Sequence, residues 1–510
     1  MGCGNSKLIA KNTVILYVRM VFTMAVSLYT SRVVLNVLGV SDYGLYNVVG
    51  GCVLMFSFLN TAISVGIQRF LSYEIGRDSK GLHNLFNTSV NVQLIIAFIA
   101  LILSETIGLW FLNTKIVIPE GRLEAANWVY QSVVISFIFM ILSVPYTAIL
   151  IAKEKMDAFA YISIFDTLLK LFIVLSIRFI TGDKLKIYAF LLAVVSFFVI
   201  LSYFIYCHIR IHECRYSFSW DKMMIKKLSS YSGWNLFGGI SAVCNNYGIN
   251  IILNMFFGPT VNAARGIAFQ INTAIIGFTT NFQTAMNPQI VKSYAARDYR
   301  YMRSLIYNGA KYSFFLLLLI TLPVLIDTHI ILRIWLKIVP DNTVLFTRMV
   351  IITSLVDSLS GTIMTGSQAS GKIKLYQSVV GSLTLLNLPI AYCLLNIFRV
   401  PIWAFVSSLF IAIVALFVRL QIVSKLIPIS KIVFLKKVLY PTITIGVLSA
   451  LLPVIVNKFM AESLFSLIIT CILSWGWCAI LLWSLGVDAK DKIKIIYHIK
   501  NKFKNANIYH

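Results

Sequence analysis

Over most of this chain apolar residues neither alternate nor recur on one helical face; they run on without interruption. A stretch such as Val90 to Leu112 (VNVQLIIAFIALILSETIGLWFL) is apolar on every side and exceeds the ~20 residues a helix needs to cross a ~30 Å hydrocarbon layer. Such runs recur at 12–38, 44–67, 87–112, 126–152, 158–181, 185–209, 230–257, 263–287, 305–328, 344–367, 374–398, 401–423, 438–457 and 463–486. They predict about fourteen transmembrane helices. Isolated strands are excluded, because in lipid their backbone groups would have no partners. An even number of crossings puts both termini on one side.

Four of the runs carry polar residues, and these are not scattered. At ~100° per residue, Asn12, Arg19, Thr23, Ser27 and Thr30 of the first span fall within an arc of roughly 80°. Ser57, Asn60, Ser64 and Gln68 do the same on the second. Asn235, Gly239, Asn246 and Asn250 line up on the seventh, and Arg265, Asn272, Thr279, Gln283 and Asn287 on the eighth. Lipid does not tolerate such stripes, so they face protein or a watery cavity. Single amides in a bundle are ordinarily spent on interhelical hydrogen bonds; four stripes on related helices favour a shared cavity. Arg32 lies almost opposite Arg19. Asp166 and Lys170 read as an intrahelical pair. Asp357, in the middle of the tenth span with no partner nearby in sequence, is the candidate for protonation or cation coupling.

Composition sharpens this picture. Hydrophobic residues make up 59% and charged residues 12% of the 510 positions, which no soluble fold could cover. The net charge of +25 is carried on short segments between apolar runs, not on one solvent face, so nucleic acid is not the expected partner. With the N-terminus inside, most Lys and Arg, including Arg215, Lys222, Lys226, Lys227 and the tail from Lys490 to Lys504, fall on the inner side, and both termini are expected to be cytoplasmic. The first run is too long for a cleavable signal and reads as a helix. The start Met1-Gly2-Cys3 fits an acylation pattern that a polytopic chain does not need. The eight cysteines stand singly. Cys207, His208, His212 and Cys214 match no standard zinc spacing, so neither metal nor cofactor is expected.

Two short matches suggest an internal repeat: Gln68–Tyr73 against Gln289–Tyr294, and Lys155, Phe159, Leu168 and Leu169 against Lys372, Tyr376, Leu385 and Leu386, at nearly equal offsets. The organisation expected is an N-terminal lobe over 1–215 (helices 1–6), a C-terminal lobe over 216–430 (helices 7–12), helices 13–14 over 431–486 and a basic tail over 487–510.

The run Ser31 to Gly51 (SRVVLNVLGVSDYGLYNVVGG), the segment Gln68 to Gly76 (QRFLSYEIG), the stretch from Asn262 to Tyr294 ending in NPQIVKSY, and the Gly371-Lys372-Ile373-Lys374 turn resemble the O-antigen and capsule repeat-unit flippases of the multidrug/oligosaccharidyl-lipid/polysaccharide exporter superfamily. The resemblance spans nearly the full length. It implies two six-helix lobes around a central cavity lined by helices 1, 2, 7 and 8, plus two C-terminal helices. It further implies undecaprenyl-diphosphate-linked oligosaccharide as cargo, moved by alternating access from the cytoplasmic to the periplasmic leaflet of a bacterial inner membrane. The partners it implies are that lipid-linked substrate, membrane lipids, and the glycan polymerase and chain-length machinery.

Arg19, Thr23, Asn60, Ser64, Gln68, Asn246, Asn250, Arg265, Asn272 and Gln283 are the expected cavity residues, with Arg19 and Arg265 as the cations that meet diphosphate. Two alternatives remain. A drug/cation antiporter of the same superfamily calls for a more aromatic and acidic cavity. A membrane glycan polymerase or glycosyltransferase calls for catalytic residues on a substantial loop, whereas the longest outer loops, 111–125 and 329–343, are short.

Overall fold

A computed structural model of the chain describes residues 2–486 apart from 55–56, 78–80, 116–117, 119–120, 180, 218–220, 258 and 337–338, together with Lys492. All regular structure among the described residues is helical. The helices are α1 (Gly2–Leu54), α2 (Ser57–Arg77), α3 (Leu82–Leu103), α4 (Leu109–Lys115), α5 (Leu123–Ala152), α6 (Met156–Ser176), α7 (Lys184–Arg210), α8 (Lys222–Phe257), α9 (Pro259–Ala295) and α10 (Tyr299–Ile326). There follow α11 (Thr328–Leu336), α12 (Thr343–Ser358), α13 (Gly361–Ser370), α14 (Lys374–Phe398), α15 (Trp403–Leu426), α16 (Lys431–Phe434), α17 (Tyr440–Lys458) and α18 (Leu464–Leu481).

Among the described residues, 12 helical segments are long and apolar enough to cross a membrane. They coincide with all the expected spans except the second and eighth. Those two are helical as well, within α1–α2 and α9, but their amide and hydroxyl stripes make them too polar to be recognised by composition. The structure supplies what composition lacks. Arg122 donates to both carboxylate oxygens of Asp42 and to Asp183 Oδ2 at 2.9 Å, so these three segments lie at one end of the bundle. Only one strongly apolar span, Leu82–Thr114, separates Asp42 from Arg122. The segment from Asp42 through α2 must therefore also cross. Likewise Glu154 binds Gln289 and Lys292, with three strongly apolar spans between them; α9 must supply the fourth crossing. The chain is an all-α, multi-pass membrane protein.

The chain divides into two compact units. The first comprises Met1–Ser241, Thr284–Met302 and Ser367–Gly381. In it α5 is the central helix, packed by α7, α2, α3 and α1. Its core gathers Leu71, Leu82, Phe86, Ile149 and Leu150 around one half of α5, and Val49, Val129, Tyr130 and Leu185 around the other. After α3 the chain takes one π-helical turn, Ser104–Gly108, whose first carbonyl, that of Ser104, accepts the Leu109 N–H and also Tyr130 Oη at 2.6 Å. A Cβ on Gly108 would lie 2.1 Å from that hydroxyl, so the hydrogen bond requires glycine there. At α2's end, a Cβ on Gly76 would meet the Lys292 backbone at 2.6 Å; two helices touch main chain to main chain.

The second unit comprises Ala242–Gln283, Arg303–Gly366 and Ser382–His510. Here α12 packs on α15 and α17 on α18. Phe346 of α12 stacks on Phe405 of α15 with ring centroids 4.2 Å apart, beside Leu253, Ala391 and Leu395. Arg348 donates to the Leu325 and Ile326 carbonyls at 2.9 and 3.0 Å. A cation thus closes the C-terminus of α10, where unpaired carbonyls and the helix dipole both favour it.

Replacing Gly76 by Ala forces α2 off the Lys292 backbone and is expected to cost about 1–3 kcal/mol; an unchanged unfolding temperature of the purified protein in detergent would contradict this. A pH effect follows from Glu213, which lies outside the spans in the turn after α7. Burial alone would raise its carboxyl, but the Lys153 hydrogen bond, its own backbone N–H and the charges of Lys153 and His212 outweigh burial and hold it below the usual range. A depressed carboxyl stabilises the folded state above its unfolded value of about 4.3 and loses that contribution as pH falls through the lower folded one. Thermal unfolding of Lys153→Ala should therefore lie below wild type at neutral pH and converge with it in acid.

Candidate binding cavity

The polar stripes of α8 and α9 meet in the second unit. Arg265 sits one to two turns into α9, and Asn246 and Asn250 lie one turn apart on α8, so both amides present the same face. Arg265 Nη2 donates to Asn246 Oδ1 at 2.5 Å and to the Asn246 carbonyl at 3.1 Å; Nη1 reaches Asn250 Oδ1 at 3.4 Å. The guanidinium lies 4.3 Å from the centroid of the Phe269 ring, an aromatic face that suits a cation removed from water. Arg265 is only 7% exposed, and its Nε has no hydrogen-bond partner among the described residues.

Arg265, Asn246 and Asn272 line a cavity of about 370 Å³. Asn272, one further turn pair along α9, accepts from Ser354 Oγ of α12 at 2.8 Å. Asn387 of α14 donates to Asn245 and to Ser408, both at 3.0 Å. Across the cavity wall, Asp357 Oδ1 accepts from Arg419 Nη1 of α15 at 3.4 Å. Two arginines and one carboxylate thus line the cavity among the described residues, with the remaining polar groups being amides and hydroxyls. An anionic group entering it would meet a net positive, hydrogen-bonding wall in surroundings of low dielectric.

The other expected cavity residues are not among those that line this cavity. Gln283 lies beside the gap between α12 and α13, donating to Ser313 Oγ at 3.3 Å and to the Ser358 carbonyl at 3.5 Å. It supplies a donor where the span is interrupted, and Gly361, at which a Cβ would lie 2.3 Å from the Gln283 amide, leaves it room. Arg19, in the first unit, holds its guanidinium 4.9 Å from the Phe159 ring of α6. Thr23 Oγ1 bonds back to the Met20 carbonyl on its own helix. Asn60 is buried, and Ser64 and Gln68 are half-buried, in that same unit. Arg32's side chain lies outside the described residues. Asp166 and Lys170 form the expected i, i+4 pair at 2.8 Å.

Two residues escaped sequence reasoning. Arg419 pairs with Asp357 across 62 positions, a distance at which no local pattern gives a signal. Arg69, buried beside the stripe residue Gln68, donates Nε and Nη2 to the Gln368 and Ala369 carbonyls at 2.9 Å and rests on the rings of Phe70 and Tyr73. It closes the end of α13. Cys207 and Cys214 are buried among apolar side chains, and His208 stacks on Phe204.

Solved structures with the same architecture exist. A MATE protein in its straight conformation superposes with a TM-score of 0.70 at 15% identity, covering 83% of this chain and 97% of that one. An outward-facing multidrug resistance MATE family transporter of the MOP superfamily gives 0.72 at 14% identity over 82% and 98%. The chain has the MATE fold. A third structure with this fold, a MOP superfamily transporter from Pyrococcus furiosus described as having a binding pocket of reverse polarity, gives 0.67 at 14% over 83% and 98%. No family model matches the chain, nor does any curated protein by sequence. At such identities the MATE fold is what is shared.

Replacing Arg265 by Ala leaves the amide oxygens of Asn246, which is exposed, and Asn250, which is half-buried, without their donor. The expected loss is on the order of 0.5–1.5 kcal/mol, read as a lowered unfolding temperature, with Arg265→Lys intermediate. Equal temperatures in all three proteins would mean that these hydrogen bonds contribute nothing.

Proposed function

We propose that this chain is a transporter, not an enzyme, and that it moves lipid-linked oligosaccharide carried on a diphosphate from the cytoplasmic to the periplasmic leaflet of a bacterial inner membrane by alternating access. The observation that carries the reading is the charge of the second unit's cavity, where Arg265 and Arg419 face one carboxylate, Asp357, within a wall of Asn, Ser and Thr side chains. Amides and hydroxyls suit sugar hydroxyls, and the guanidinium fork suits phosphate oxygens. One solved neighbour with this fold is a multidrug resistance transporter, and another is described as having a binding pocket whose reverse polarity suggests a different function. The lobes over 1–215 and 216–430 are proposed as the repeated halves, and the Lys and Arg bias as the reason both termini face the cytoplasm. Glycan polymerase and chain-length machinery are the proposed downstream partners.

A drug/cation antiporter is the second reading, favoured by the cavity-facing carboxylate of Asp357. The two part company in a deletion strain. Loss of surface polysaccharide with inward-facing lipid-linked repeat units accumulating is the expected outcome. Complementation by Arg265→Lys should restore export only partly, because the ammonium keeps the charge and loses the two-oxygen fork. A deletion that changes drug sensitivity and leaves the surface glycan intact would remove the export reading in favour of the antiporter.

A further inference from the structure

We infer that Arg419 is a second anion-binding group of the cavity and that Asp357 is its internal placeholder, a carboxylate displaced from Arg419 when an anionic ligand enters. The inference rests on the export reading for the cargo's identity, but not for the anion chemistry. Its basis is a contrast between two arginines on the same wall.

Arg265 is committed to protein: its two terminal nitrogens are bonded to Asn246 and Asn250, the closest contact being 2.5 Å. Arg419 is held more loosely. Its one bond to Asp357 is 3.4 Å long and single, through Nη1 alone, where an arginine and a carboxylate that suit each other pair through two bonds near 2.7–2.9 Å. Its Nε is shielded and has no hydrogen-bond partner among the described residues. The Asp357 side chain is 51% exposed while that of Arg419 is 18% exposed, so the carboxylate is the member standing in the open space. Arg265 also keeps an unpartnered Nε. The cavity therefore offers two incompletely used guanidinium groups and one poorly seated anion.

The cost of an empty cationic cavity explains why the carboxylate is there. Two uncompensated guanidinium groups within a membrane-spanning bundle would be strongly unfavourable, and Asp357 offsets one of them until a ligand does so. A phosphate group, with more oxygens and higher charge than a carboxylate, can replace Asp357 on Arg419 and accept from more than one guanidinium nitrogen. No other acidic or basic side chain lines the cavity among the described residues, so the exchange involves Asp357, Arg419 and Arg265 alone. A cation site makes the opposite assignment: there Asp357 binds the ligand and Arg419 competes with it.

The test is inorganic pyrophosphate binding to the purified full-length protein in detergent, by calorimetry. Arg419→Gln should weaken binding by about tenfold. Asp357→Asn, which removes the competitor, should tighten it severalfold, and the double variant should bind as weakly as Arg419→Gln. Weaker binding in Asp357→Asn, or unchanged binding in Arg419→Gln, overturns the proposal. Should Asp357→Asn not be recovered as monodisperse protein, the Arg419→Gln result decides. Tightening by sodium or potassium of a variant retaining Asp357 but lacking Arg419, with no effect on pyrophosphate, would assign the pair to a cation instead and also overturn it. Cellular export separates this proposal from the broader reading: normal surface polysaccharide in a deletion strain removes the export function while leaving pyrophosphate affinity unaffected.

Discussion

Everything in this fold answers to one requirement: inside an apolar bundle each polar group must find its partner within the chain, since lipid offers none. Arginine meets that requirement repeatedly at helix ends. Arg69 closes the last carbonyls of α13 and Arg348 those of α10, each with two backbone oxygens at 2.9–3.0 Å. Gln283 does the same with a neutral amide at the break between α12 and α13, and Tyr130 at the π turn after α3. Interrupted helices are tolerated at membrane depth only where a neighbouring side chain supplies what the backbone lost. All four of these donors bond backbone carbonyls, and an Arg within a span is not by itself a mark of cargo.

The same requirement decides how much of the protein was legible in its sequence. Twelve spans announce themselves because a helix surrounded by lipid and apolar protein has no polar face to hide. The other two, in α1–α2 and α9, announce themselves in the opposite way, through stripes of amides and hydroxyls that lipid would reject. On α9 the stripe is real in space: Arg265, Asn272 and Thr279 are all buried. But a stripe says that a face is sheltered, not by what. Arg265 and Asn272 face a cavity, Gln283 patches a helix break, and Thr23 on α1 merely bonds its own backbone. Long-range pairing was out of reach altogether. Asp357 looks solitary in sequence because its partner lies on another helix, and Arg69 carries no signal because its role depends on where α13 ends.

Which residues repeat and which pack together are separate matters. The short internal matches bear on a proposed repeat, whereas compactness follows contacts, and α8, α9 and α14 each give one part to either unit. The polar joints bear on crossing parity instead. Arg122 with Asp42 and Asp183, and Glu154 with Lys292 and Gln289, each gather segments that an even number of crossings must separate. Hydropathy counts helices one at a time and fails on a polar one; an ion pair between loops tests the whole count between its partners, and it recovers the two crossings that composition passes over.

The cavity of the second unit leaves part of its polar lining unpaired among the described residues, and on the proposed reading those groups meet the cargo. Around the cavity Asn272 accepts from Ser354, and Asn387 donates to Asn245 and Ser408 while its own Oδ1 has no hydrogen-bond partner among the described residues. Its charges are matched incompletely, with a guanidinium nitrogen left over on both Arg265 and Arg419 and a long single bond between Arg419 and Asp357. Arg69 and Arg348 each spend two nitrogens on carbonyls, whereas Arg265 and Arg419 each keep an Nε without a hydrogen-bond partner among the described residues. Leaving them so costs free energy in the empty state, and such a cost persists at a site only where something returns it on binding. On the proposed reading, an anion with several oxygens offsets that cost by taking the place of Asp357 on Arg419.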